Sequence, residues 1–261
     1  PFLQCRGGTA HCVARFSHGP GVKKATAEVM APLVLTDDTA SAAIHLGGLA
    51  LAAFLTWRLR RQAATPMARR SAAILGPVWG LLYVASITYH LAERGTLAKS
   101  IALVFDDGAI FVAIAGTYTP VMRMLLPPSA QRVMLRALWV MAGAGLSAAA
   151  LAVAWQYLSW YQPSVLGSTL LCGFGPAVAY ARTLTRGLPP RARLQIALSG
   201  LVYVGGACFY RAHNLPWHHS YWHAAVVLGS VLDFMAIAAL TAGGTSPLSA
   251  APVRITPARA K

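Results

Sequence analysis

Two histidines, His219 and His223, stand four residues apart at the start of the last long apolar run of this chain. A third, His90, closes an earlier run, with Ser86 one helical turn before it. Two adjacent carboxylates, Asp106 and Asp107, lie near the start of the next run. On a helix, residues four apart share a face. A His pair at that spacing can therefore chelate one divalent ion, as two His do in HExxH helices. His90 can supply a third nitrogen. Three imidazoles leave a fourth position for water, which is the donor pattern of a catalytic zinc and not of a structural one. Imidazole also suits copper, nickel and iron. A nearby aspartate balances the positive charge of such a centre, and an unpaired one at the bilayer centre costs about 2.5–3.5 kcal/mol.

The elements that must position these groups are apolar segments at about 39–57, 72–91, 101–126, 133–155, 164–184, 194–211 and 220–242. The chain is 56% hydrophobic and only 11% charged, against about 25% charged in a soluble domain. The expectation is an all-α, polytopic membrane protein: a seven transmembrane helix bundle over 37–243 in the plasma membrane. Residues 1–36 read as an N-terminal tail, disordered or not native, with Met30 a candidate start. Residues 244–261 read as a disordered cytoplasmic tail.

The net charge of +15 does not mean nucleic acid, because no soluble basic domain exists to hold a duplex. The basic residues fall in short loops, where they set orientation. One side collects fifteen, from Arg58 to the C-terminal Lys261, and the other only Arg94, Lys99 and Arg211. The rule puts the N-terminus outside and the C-terminus in the cytoplasm. Segment parity then brings Ser86, His90, Asp106, Asp107, His219 and His223 to the extracytoplasmic face.

Other polar residues read more plainly. His218 faces water or the interface, His213 belongs to a loop, and His45 is a helix–helix contact. Asp233 is deep, a candidate for supporting the centre or for a proton path, and has no evident partner. Ser86 is as readily a packing residue as a catalytic one. Cys172 and Cys208 read as small apolar side chains, Cys5 and Cys12 as a possible pair. Gly143 and Gly145 are packing residues of the fourth segment. The aromatic loop 155–161 is an interfacial belt.

The motifs SITYH, DDGAIFVAIAGTYTP and HHSYWHAAVVLGS, in that order and over about 39–242, resemble the hemolysin III branch of the progestin and adipoQ receptor family. The resemblance implies seven helices, a zinc held by His90, His219 and His223, and Asp106 held to it through water. Asp107 can share that role. It also implies kinship with alkaline ceramidases, which hydrolyse lipid amides. The loop charges place the site opposite to its side in the adiponectin receptors. The expected function is a zinc-dependent hydrolase of lipid amides or esters, with Asp106 and Ser86 catalytic and the lipid bilayer as its surroundings. The alternatives are a pore-forming or lytic protein, as the family name suggests, and a receptor or sensor with a structural metal. One compact polar cluster, without rings of charge, argues against a pore.

Overall fold

A computed structural model describes residues 36–154 and 158–242. The expected tails, the candidate start Met30, Cys5, Cys12, Trp155 and Tyr157 lie outside the described residues. Nine helices and no strand occur among those described: α1 Asp37–Gln62, α2 Pro66–Ala72, α3 Leu75–Leu91, α4 Leu97–Leu125, α5 Pro128–Ala154, α6 Leu158–Ala179, α7 Ala181–Gly187, α8 Pro190–Arg211 and α9 His218–Ala242. The seven long ones overlap the seven expected segments. Five stretches are long and apolar enough to cross a membrane: Asp37–Gln62, Ala68–Leu91, Pro128–Ala154, Pro190–Arg211 and His218–Ala242. Large apolar side chains lie bare on their outer faces, among them Leu46, Val140, Leu201 and Leu228. In water such a surface would aggregate, whereas in a bilayer it is the lipid contact.

Helix ends depart from the expected bounds for physical reasons. The segment expected as 72–91 is broken before Leu75. Pro77 has no N–H to give the carbonyl four residues back, and its ring clashes there. α6 begins at Leu158, so Trp160 and Tyr161 fall in its first turns and not in a loop. α1 starts earlier than expected because Thr36 caps it. The Thr36 hydroxyl accepts from the Thr39 amide at 3.2 Å, and the Thr39 hydroxyl accepts from the Thr36 amide at 2.8 Å. Such a cap contributes about 1 kcal/mol. Asp37 and Asp38 occupy the first turn, where a helix favours negative charge.

Packing in the bundle is marked by small residues and not by apolar faces set against polar ones, since lipid is as apolar as the core. Ser41, His45, Gly48 and Ala52 form the buried stripe of α1, which packs on α3 and α9. α4 packs between α3 and α5, and α8 against α9. The run Thr117-Tyr118-Thr119 ties α4 to three neighbours. Trp79 of α3 donates its indole N–H to Thr117 at 3.1 Å, and Trp139 of α5 donates to Thr119 at 3.3 Å. The Tyr118 hydroxyl donates to the Gly173 carbonyl of α6. Gly145 lies under the Phe111 ring, as a packing residue should, while Gly143 has open space above it. Cys172 is half-buried and Cys208 exposed, both as free thiols.

Candidate metal centre

His90 occupies the last turn of α3, and His219 and His223 the first two turns of α9. The three rings converge. Their centroids are 5.1 Å apart for His90 and His219, 4.7 Å for His90 and His223, and 4.6 Å for His219 and His223. One ligand nitrogen from each lies within 4.8 Å of the others. The closest pair, His90 Nε2 and His223 Nε2, is 2.9 Å apart.

The outer nitrogens are held by neighbours. Asp38 Oδ1 lies 2.9 Å from His90 Nδ1. A carboxylate only accepts, so this nitrogen donates, and in the neutral ring the lone pair falls on Nε2, aimed at the other two histidines. His45 Nε2 lies 3.0 Å from His223 Nδ1. His45 is therefore the helix–helix contact expected of it, but one made to a ring of the cluster. Asp37 accepts from the Ser220 amide at 2.9 Å and from the Ser220 hydroxyl, which ties the first turn of α9 to α1. Asp38 also takes Arg94 Nη2 at 2.7 Å and Nε at 3.1 Å, with Lys99 Nζ at 3.7 Å. Gly95, at φ 80°, makes the turn that brings Arg94 and Lys99 to the same carboxylate. Arg94 is 81% exposed, so its pair contributes at most about 1 kcal/mol to stability. Its effect is to hold Asp38 in place.

Asp37, Asp38, Arg94 and Lys99 were not legible as parts of the centre. The signal that points to them is a TDD cap at the start of the first segment, on the membrane face that parity assigns to His90.

Below the rings lies a cavity of about 720 Å³. His219, His223, Asp106 and Asp107 line one end, and it runs down past Trp79, Ile110 and Val226 to Asp233. Ser86 is fully buried. It is not among the lining residues, but sits beside the Asp106 carboxyl, outside strict hydrogen-bond geometry. Asp106 is not one of the close nitrogen set. His218 is half-buried, its ring 5.0 Å from that of His213, and both line the cavity. One expectation is corrected here. Asp233 does have partners: Tyr203 donates to it at 2.9 Å, with Ser199 alongside. Its partners come from α8, the preceding helix, and which face of α8 meets α9 is not set by the order of the helices.

The donor set fits a metal ion. Zinc–imidazole bonds of about 2.0–2.1 Å put nitrogens about 3.3 Å apart around a tetrahedral ion. The observed spacings, 2.9 Å at the closest and within 4.8 Å throughout, bracket that value. A ligand imidazole whose other nitrogen donates to a carboxylate is the usual outer arrangement of such centres.

Helices stacked for a bilayer around a buried three-histidine cluster define a polytopic membrane protein with a candidate intramembrane metal centre. The family model described as "Haemolysin-III related" matches residues 33–234, and the chain belongs to that family. It is similar to the "Hemolysin-3 homolog" of Bacillus subtilis (strain 168), with 30% identity over 169 residues covering 64% of this chain and 75% of that one. It is also similar to the "Hemolysin-3" of Bacillus cereus, with 28% identity over 175 residues, 64% of this chain and 75% of that one.

Proposed function

We propose that the chain is a zinc-dependent hydrolase of lipid amides or esters, multi-pass in the plasma membrane, working inside its helix bundle. The observation that carries this reading is the gathering of three imidazoles at one end of a largely apolar cavity that His219, His223 and Asp106 line.

His90, His219 and His223 would hold the ion. When bound, it supplies a Lewis acid for a carbonyl oxygen and lowers the pKa of water to about 7. The remaining work falls to the chain itself. Asp38 and His45 fix the ring orientations through the outer nitrogens of His90 and His223. Asp106 takes the proton of the attacking water and returns it to the leaving amine or alcohol. Ser86, buried beside Asp106 and off the cavity wall, would position that carboxyl. The apolar walls receive the acyl chain from the lipid and exclude bulk water. Arg94, Lys99 and Arg211 at the site end, against twelve arginines at the other end of the described helices, favour an extracytoplasmic site.

Ceramide turnover by the purified, zinc-loaded protein tests this. Asp106→Asn is expected to lower kcat by about 10²–10⁴-fold, and His219→Ala to abolish turnover. Turnover that persists in both variants would remove the hydrolase reading. The relatives' names favour a second reading, membrane lysis. Dye release from liposomes by the wild type, unchanged in His219→Ala, would support it over hydrolysis.

A further inference from the structure

The cavity has a second polar pole. On α9 the residues His223, Val226, Asp233 and Ile237 all line it, at spacings that follow the helix face. Asp233 stands ten residues beyond His223, roughly 15 Å along the axis at 1.5 Å per residue. Its carboxylate is positioned, not merely present. Tyr203 donates to it at 2.9 Å, and Gly229 gives the Tyr203 ring its place, because a Cβ there would stand 2.5 Å from two ring carbons. Ser199 lies alongside, with its hydroxyl also reaching the Ile196 carbonyl at 3.0 Å.

Other polar side chains of the cavity wall near this depth spend their donors within the protein. Thr117 donates to the Ala113 carbonyl at 2.8 Å, Thr169 to Leu166 at 2.9 Å, and Tyr118 to Gly173. A carboxylate offers about four acceptor positions and no donor when ionised. Tyr203 and Ser199 engage at most two of them, and Asp233 borders the cavity with the rest. A saturated chain lying there would leave a carboxylate facing hydrocarbon, which is costly. A chain that brings its own O–H or N–H would not.

We propose that Asp233, oriented by Tyr203, is a recognition site for a hydrogen-bond donor, a hydroxyl or an amino group, carried on the chain of the cavity's ligand about 15 Å from its head. This deepens the proposed function by naming the substrate class as lipids whose acyl chain carries a hydroxyl or amino group far from the head. It rests on the cavity being the binding chamber, and on neither the metal nor the hydrolysis. A site built to bond a polar substituent discriminates strongly against the analogue that lacks it, since its own group is then left unpaired.

The test is displacement of a fluorescent fatty acid from the purified full chain in detergent. The probes are a saturated fatty acid, the same acid with a mid-chain hydroxyl, and an acid of matching length with a distal amine. The hydroxylated or aminated probe is expected to bind wild type about tenfold or more tightly than the saturated one. Preference for the hydroxyl alone or for the amine alone says which donor the site takes. Asp233→Leu should erase the preference, and Tyr203→Phe should reduce it. Equal binding of all three probes to wild type overturns the proposal, and this result needs no variant to fold. A preference that survives in Asp233→Leu overturns it as well. Zinc content and ceramide turnover, measured on the same wild-type preparation, report separately on the metal and hydrolase reading.

Discussion

Asp38 shows how one side chain can serve a centre it does not join. It bonds the outer nitrogen of His90 and is itself gripped by Arg94. Removing such a partner usually weakens metal binding by about 10–100-fold. Asp38→Ala should do so in a zinc titration against a competing chelator, with the helical content unchanged; an unaltered affinity would count against the proposed role. Tyr83 serves packing instead, its hydroxyl 2.6 Å from Ser230 Oγ in the core. Tyr83→Phe should cost about 1 kcal/mol in detergent unfolding and leave zinc affinity as it was. The histidines were legible because the spacing of His219 and His223 is itself a helical signal. Asp38 was not, because an acidic pair at a helix start reads first as a favourable end charge, and only the fold brings it to His90.

At the scale of helices, the all-helical membrane class and the rough place of the long apolar runs were legible, five of them long and apolar enough to cross a membrane. Their interruptions were less so, since hydropathy does not register the carbonyl that Pro77 leaves without a partner. Which face of each helix turns inward was also hidden. A membrane helix is apolar all round, so only small residues and intramembrane polar ones mark the contact. Gly116 is such a mark: a Cβ there would stand 2.5 Å from Val78 Cγ2, where α4 presses on α3. Gly116→Leu should cost about 1–3 kcal/mol by overpacking and shift Asp106 on α4 relative to His90 on α3. The expected outcome is a lower Tm together with reduced turnover. A variant with unchanged Tm would show that the α3–α4 contact yields more easily than the packing implies.

For the molecule as a whole, the two ends of the bundle differ in charge and in chemistry. The histidine cluster, one end of the cavity and three basic residues share one end; the helix ends and short helices at the other carry twelve arginines. A C-terminal reporter fusion should therefore be active only in its cytoplasmic form, and a reporter active outside would invert the topology. A cavity runs from His219 and Asp106 to Asp233, and in the proposed function it is the chamber for an amphipathic chain, with the reacting head beside His219 and Asp106. All of this depends on the three rings sharing an ion. X-ray absorption at the zinc edge on the purified, zinc-loaded chain measures that directly. The account predicts one zinc per chain with three nitrogen neighbours and one oxygen at about 2.0–2.1 Å, and loss of that signal in His219→Ala. No stoichiometric zinc in the wild type, or the same spectrum in the variant, would contradict it.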